Sequence, residues 1–190
     1  VEIPASHLRP DLIDRVVRRL AAGDVVALPT DTTWAFVCDP QQRTAVYDDL
    51  VGALDTEGLR LILVDLRGSG KSGRPQSGYT IEQYAKDVLA VADAVGSRKF
   101  MLVGHSMGGQ IAQWIAATAP ERVLGMVLLC PVPASGIPLP SDAQALFRNC
   151  GQNRSMQQTI LGLACKQLSD EARERLLDDA QGVSVECVAQ

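Results

Sequence analysis

Apolar and polar positions along the chain follow two alternating patterns. Short, uninterrupted apolar runs have the length of buried strands, and stretches with apolar residues three or four positions apart have the spacing of packed helices. Strands are predicted at 24–28, 59–64, 100–103 and 123–129, and helices at 8–20, 42–54, 80–95 and 107–118. Because the strands are almost uniformly apolar and alternate with helices, the pattern predicts an α/β fold with a mostly parallel sheet flanked by helices.

The pattern changes after Pro131. The segment PVPASGIPLP is rich in proline, and the stretches beyond it, roughly 142–150, 154–168 and 169–180, have helical spacing only. We interpret these stretches as the start of a helical cap. The sequence therefore predicts three regions, which are a helix–strand–helix segment at 1–57, a core at 58–133 and a partial cap at 134–190.

Composition and charge narrow the classes of partner and cofactor. The formal net charge is −4, so no basic surface is expected to bind nucleic acid. The five cysteines are odd in number and contain no C-x-x-C pair, which argues against a metal site or a disulfide framework. No apolar run has the length of a membrane span. We expect a cytoplasmic protein with reduced thiols that needs no cofactor or metal and does not bind membranes.

The clearest candidate for chemistry is the stretch VGHSMGG at residues 103–109. It lies between a predicted strand and a predicted helix, the context in which G-x-S-x-G forms a nucleophile elbow. The glycines permit a sharp turn, so Ser106 is expected at the carboxyl edge of the sheet. The backbone N–H of Met107 is then placed to stabilise an oxyanion. The alternative is a glycine-rich turn whose serine has no role.

The same stretch and its neighbours carry a resemblance to a known family. The segments GLRLILVDLRGSGKS, YTIEQYAKDVLAVADAVG, MLVGHSMGG and APERVLGMVLLCP resemble the α/β-hydrolase superfamily, in particular its small esterases, lactonases and non-haem haloperoxidases. The resemblance covers about residues 58–190 and implies a partial α/β-hydrolase core with the start of a cap. It implies catalysis on a small ester or lactone, with Ser106 as the nucleophile and the Met107 amide as an oxyanion donor.

The general base is the missing part of this pattern. In the family, the acid and then the histidine follow the serine along the chain. The sequence contains only His7 and His105, and neither lies after Ser106. His105 is expected to point away from Ser106, and His7 leads into a predicted surface helix. We expect the chain to stop inside the cap, before the acid and the histidine, and to be inactive or impaired as a hydrolase.

The first third of the chain has a different resemblance. RRLAAGDVVALPTDTTWAFVCDPQQRTAV, within about residues 12–46, resembles the opening of the YrdC-like threonylcarbamoyl-adenylate synthases. That resemblance implies that Thr30 and Thr32 line a substrate pocket, although the Lys-x-Arg segment of that family does not follow. The alternative is that this region only supplies a strand and a turn. Because two resemblances meet near 46–58, we expect the chain to be chimeric or truncated.

Two further features bear on binding. The segment GSGKS is similar to part of a phosphate-binding loop, but Asp65 stands where that motif requires its first glycine. A sheet that ends at 123–129 leaves an apolar edge open, and self-association through that edge is expected.

The sequence thus leaves three functions open. The first is a serine hydrolase for a small ester or lactone, the second a catalytically silent chimeric folding or interaction unit, and the third a YrdC-like nucleotide-binding module.

Overall fold

The computed structural model describes residues 25–29, 60–164 and 169–189. Four strands and six helices lie in these residues. The strands are β1 (Val25–Pro29), β2 (Arg60–Val64), β3 (Phe100–His105) and β4 (Val123–Leu129). The helices are α1 (Ile81–Ala94), α2 (Met107–Thr118), α3 (Ser141–Asn149), α4 (Arg154–Ala164), α5 (Asp170–Ala180) and α6 (Val185–Ala189), and a short 3₁₀ turn at Pro120–Arg122 precedes β4.

The four strands form one parallel sheet in the order β2-β1-β3-β4. This confirms the predicted α/β fold with a parallel sheet flanked by helices, and each strand lies within one or two residues of its predicted bounds. The order reverses between β1 and β3, because the chain moves from β1 to one side and returns to build the other. In open α/β sheets, ligands bind at the carboxyl edge beside such a reversal.

Helix α1 begins and ends where its sequence signals predict. The Thr80 side chain accepts a hydrogen bond from the backbone N–H of Gln83, and Gly96 follows the helix with φ of 75°. The Gln83 side-chain amide donates to the Asp87 carboxylate, one turn further along the helix, at 3.1 Å.

The core lies between the sheet and the first two helices. Phe100 and Leu102 of β3 are fully buried, and they pack with apolar side chains from α1 and α2. The apolar face predicted for α1 supplies Tyr84, Ala85 and Val88 to this cluster. Burial of this continuous apolar face fixes both helices on the sheet.

The cap region is helical, as its spacing predicts. Helices α4 and α5 lie within the predicted stretches, and α3 begins one residue before its own. Residues 165–168 of the second predicted stretch lie outside the described residues. The short helix α6 was not predicted. It packs back on the core, where the Ser184 N–H donates to the Gly68 carbonyl at 2.8 Å and the Tyr84 hydroxyl lies 3.2 Å from the Cys187 sulfur.

Strand β4 is an edge strand among the strands described. Its seven residues are all apolar, and Met126 at its centre is 40% exposed. Self-association through this edge stays a prediction. The helices predicted at 8–20 and 42–54 lie outside the described residues, and the division into three regions stays a prediction. In the part of the chain that is described, no helix is both long and apolar enough to cross a membrane.

Candidate active site

Ser106 connects β3 to α2 in a strained backbone conformation. Its φ is 52° and its ψ is −118°, backbone angles that residues other than glycine rarely adopt. Backbone strain of this kind costs about 1–3 kcal/mol and persists only where the surrounding structure enforces it. The turn places Ser106 at the carboxyl edge of the sheet, next to the reversal of strand order between β1 and β3.

Two glycines make the space for this turn. A Cβ on Gly104 would collide with the Gly108 carbonyl oxygen and lie 2.7 Å from the Gly109 Cα. A Cβ on Gly109 would lie 2.6 Å from the Cβ of Pro131. Glycine is therefore a steric requirement of this structure at positions 104 and 109, of which Gly104 is the first glycine of the G-x-S-x-G motif.

The Ser106 backbone is bonded to the chain that leaves β4. Its N–H donates to the Leu129 carbonyl at 3.0 Å, and its own carbonyl accepts from the N–H groups of Val132 at 2.9 Å and Gly109 at 3.1 Å. These bonds extend the β3–β4 pairing one residue beyond the strands. They hold the strained residue on both its donor and its acceptor side.

The Ser106 side chain does not cap the helix it precedes. Serine at this position usually accepts a hydrogen bond from the helix N-terminus, as Thr80 does for α1, but Ser106 makes no such bond to α2. The structural role that would best explain a serine here is therefore absent. Ser106 is half-buried, as is Met107, the first residue of α2.

The Met107 amide lies at the positive end of the α2 dipole. The first N–H groups of a helix point out of its N-terminus, where partial positive charge stabilises an anion. An oxyanion formed on a substrate bound to Ser106 would develop next to this end of the helix. Ser106 and Met107 thus lie at the junction of β3 and α2, and their roles as nucleophile and oxyanion donor stay predictions.

Of the other site residues considered from the sequence, the structure describes only His105. His105 is the last residue of β3 and is half-buried, and burial lowers the pKa of its imidazole below the usual value. His7, Thr30 and Thr32 lie outside the described residues, so the substrate role expected of the two threonines stays a prediction. Within the described ranges, no cluster of three or more His, Cys, Asp or Glu side chains could hold a metal ion.

A separate cavity of about 280 Å³ lies beside β2. Arg67 and Asp87 line it and form a two-pronged ion pair, with Nε–Oδ2 and Nη2–Oδ1 distances of 2.5 and 2.7 Å. The hydrogen bond that Arg67 donates to the Asp87 carboxylate raises the pKa of Arg67. Because the guanidinium is already occupied by Asp87 and the Gly78 carbonyl, this cavity offers no ready anion site. The sequence did not predict this pair, whose members are twenty residues apart.

The glycine-rich turn after β2 is a structural loop. Ser69 is fully buried and donates to the Leu66 carbonyl at 2.7 Å, and Ser72 donates to the Asp65 carbonyl at 2.5 Å. Both hydroxyls are therefore engaged by the loop's own backbone. This agrees with the sequence argument that GSGKS is not a phosphate-binding loop.

Comparisons with known proteins agree with this architecture. The family profile described as the alpha/beta hydrolase fold matches residues 43–159. A non-heme chloroperoxidase of Streptomyces lividans is 39% identical over 79 residues, which are 41% of this chain and 29% of that protein. A bifunctional esterase/perhydrolase of Acinetobacter calcoaceticus is 34% identical over 91 residues, 47% of this chain and 33% of that protein.

Solved structures show the same likeness. The crystal structure of bromoperoxidase from Bacillus anthracis superposes with a TM-score of 0.70 and 24% identity, and the match covers 88% of this chain and 64% of that one. The matched segment spans about a third of the two curated relatives and less than two thirds of the solved structure. Since the family profile covers more than half of the sequence, the chain belongs to the α/β-hydrolase fold family.

Proposed function

We propose that this chain carries the nucleophile of a serine hydrolase that acts on a small ester or lactone. Ser106 Oγ attacks the substrate carbonyl, and the Met107 N–H stabilises the oxyanion that forms. The observation that carries the proposal is the backbone of Ser106, whose positive φ is enforced by its neighbours while its hydroxyl makes no capping bond. Strain without a structural benefit to the helix is typical of functional residues.

The reaction would follow the usual course of acyl transfer. The serine proton leaves to a base as the Oγ–carbon bond forms, and the alcohol departs with a proton as the tetrahedral intermediate collapses to an acyl-enzyme. A water molecule then attacks the acyl-enzyme and regenerates Ser106. In a lactone, the departing alcohol is part of the acyl chain, so hydrolysis of the acyl-enzyme releases a single hydroxy acid.

The rate of reaction at Ser106 depends on a general base that accepts the serine proton. No residue after Ser106 in the sequence is a histidine, and His105 directly precedes Ser106 in the turn from β3 into α2. We therefore propose that the chain by itself reacts slowly at Ser106. Loss of one triad member typically costs several orders of magnitude but leaves the oxyanion contribution in place.

The substrate class is supported by the position of the site and by the relatives. Ser106 lies where the strand order reverses, the usual place for a small-molecule crevice in an α/β sheet. The relatives are named as a bifunctional esterase/perhydrolase and a non-heme chloroperoxidase. An ester or lactone carbonyl is a substrate that a serine nucleophile and a helix N-terminus can serve without a metal or a cofactor.

Labelling with a fluorophosphonate tests this proposal. We expect slow covalent labelling of Ser106, located by peptide mass spectrometry, at a rate above that of a serine in an unfolded peptide. Ser106→Ala should abolish it, and Ser69→Ala should retain it, because the Ser69 hydroxyl is buried and bonded to the Leu66 carbonyl. Labelling of Ser106 no faster than that of the peptide would favour the catalytically silent folding or interaction unit.

A further inference from the structure

A side chain in the second turn of α2 contacts the chain that leaves β4. The Gln113 amide nitrogen Nε2 donates to two backbone carbonyls, that of Gly109 in its own helix at 3.0 Å and that of Val132 at 2.9 Å. Gln113 is half-buried, and its two acceptors lie nineteen and four residues away in sequence. One amide group therefore joins the first turn of α2 to the segment after β4.

The Val132 residue is held at both of its backbone polar groups. Its N–H donates to the Ser106 carbonyl, and its carbonyl accepts from Gln113. The Gly109 N–H also donates to the Ser106 carbonyl, and the Gly109 carbonyl accepts from Gln113. Ser106, Val132, Gln113 and Gly109 thus form a closed ring of hydrogen bonds around the elbow.

Close packing reinforces this ring. Pro131 precedes Val132 and occupies the space into which a Gly109 side chain would project. A shift of the segment after β4 would therefore change both the packing on the first turn of α2 and the bond to the Ser106 carbonyl. Preorganised donors act well only when they are held close to their working positions, and small displacements cost rate.

We infer that Gln113 is a positioning residue for the reaction at Ser106. It holds the Val132 carbonyl against the first turn of α2, and through that ring it keeps the Ser106 backbone and the Met107 amide in the geometry needed for attack. This inference rests on the proposed function, because it concerns the same nucleophile. It assigns Gln113 no contact with the substrate.

Three variants separate this role from general stability. Gln113→Met keeps the length of the side chain but removes its donor, and Gln113→Arg restores a donor at a half-exposed position. Gln110→Met is the matched control, because Gln110 is a glutamine in the preceding turn of α2 whose amide makes one long bond, 3.4 Å to the Ala134 carbonyl. Circular dichroism of each variant verifies that the fold is retained.

The measurement is the rate of fluorophosphonate labelling of Ser106 as a function of reagent concentration. We expect the maximal rate of Gln113→Met to fall about tenfold with little change in the half-saturating concentration, since orientation and not binding is lost. Gln110→Met should change the rate by less than about twofold, and Gln113→Arg should recover most of it. Recovery by a restored donor is a result that a purely space-filling role would not give.

Two results would overturn the inference, and they are distinct. Unchanged labelling of Gln113→Met would overturn the role of Gln113 and leave the nucleophile assignment intact. No labelling of the unsubstituted chain would overturn the proposed function. Hydrogen exchange of the Val132 amide then tests whether Gln113 holds the segment after β4 in place. Faster exchange in Gln113→Met supports the ring of hydrogen bonds, and unchanged exchange contradicts it.

Discussion

Two glycine-rich turns follow strands β2 and β3 at the carboxyl edge of the same parallel sheet, and both turns contain serine. In the turn after β2, residues 65–73, Ser69 is fully buried and its hydroxyl is bonded to the backbone. In the elbow after β3, residues 104–109, Ser106 is half-buried and makes no capping bond. A serine among glycines therefore does not by itself indicate chemistry.

The difference lies in which residue carries the unusual backbone angle. In the turn after β2, the positive φ values fall on Gly68 and Gly70, at 83° and 53°, where they cost little. In the elbow, the positive φ falls on Ser106 itself, while the glycines supply space for the backbone to pass. We take strain on the serine, and not the glycine count, as the mark of the candidate nucleophile.

The largest effect is expected from a methyl group at Gly104. Gly104→Ala would place a Cβ against the Gly108 carbonyl, and neither backbone can move without breaking the elbow. We expect a loss of about 3–5 kcal/mol in the free energy of unfolding, or failure to fold. Urea denaturation followed by circular dichroism measures it.

Gly73→Ala in the other turn is the control for that change. A Cβ at Gly73 meets nothing within 4 Å. The free energy of unfolding should therefore change by no more than about 0.5 kcal/mol. Equal losses in the two variants would contradict the claim that the glycine spacing in the elbow is a special steric requirement.

A smaller loss in the free energy of unfolding is expected when the buried hydroxyl of Ser69 is removed. Ser69→Ala deletes the bond to the Leu66 carbonyl in a site closed to solvent. We expect a destabilisation of about 1 kcal/mol, the usual net value of such a bond, with labelling of Ser106 unaffected. Thermal unfolding together with the labelling rate measures both; lost labelling would show that the two turns are coupled.

At the candidate nucleophile, we expect a glycine substitution to give a higher free energy of unfolding than an alanine substitution. Ser106→Gly relieves the positive φ, whereas Ser106→Ala keeps a Cβ in the same strained backbone. Relief of strain favours glycine, whereas the greater backbone entropy that glycine loses on folding disfavours it. We expect the net free energy of unfolding of the glycine variant to be about 1 kcal/mol above that of the alanine variant. An alanine variant as stable as the glycine variant would mean that Ser106 stores no strain.

The strands and the two motif residues of the elbow could be predicted from the sequence. The contacts between distant segments could not, for a physical reason. The strands were located closely because their residues are uniformly apolar, and Ser106 and Met107 were identified from a motif whose spacing reflects steric needs. Sequence spacing carries no signal for contacts between distant segments. Gln113 bonding to Val132, and Arg67 pairing with Asp87, depend on how the elements pack.

The same reasoning explains the errors at the element ends. Strand β3 continues to His105, two residues past its predicted end, because pairing with Leu128 and Leu129 of β4 keeps the backbone extended through Gly104. Glycine there gave no propensity for a strand. Helix α6 is too short for its periodicity to be recognised, and its place is set by contacts with the turn after β2, such as the bond from Ser184 to Gly68.

The smallest expected effect is a pH dependence that belongs to the elbow and not to the turn after β2, which contains no histidine. Burial lowers the pKa of His105 in the folded chain, so the unfolded chain takes up the proton first as the pH falls through about 6.5. The unfolded state then binds more protons, and stability decreases with falling pH until the folded pKa is passed. His105→Gln should remove this contribution. The difference in the free energy of unfolding between this variant and the unsubstituted chain should be constant above pH 7.5 and should shift in favour of the variant below pH 6.5.

His7→Gln is the matched control for the second histidine. Parallel curves for His105→Gln and the unsubstituted chain between pH 5 and 8 would contradict a buried imidazole at the elbow.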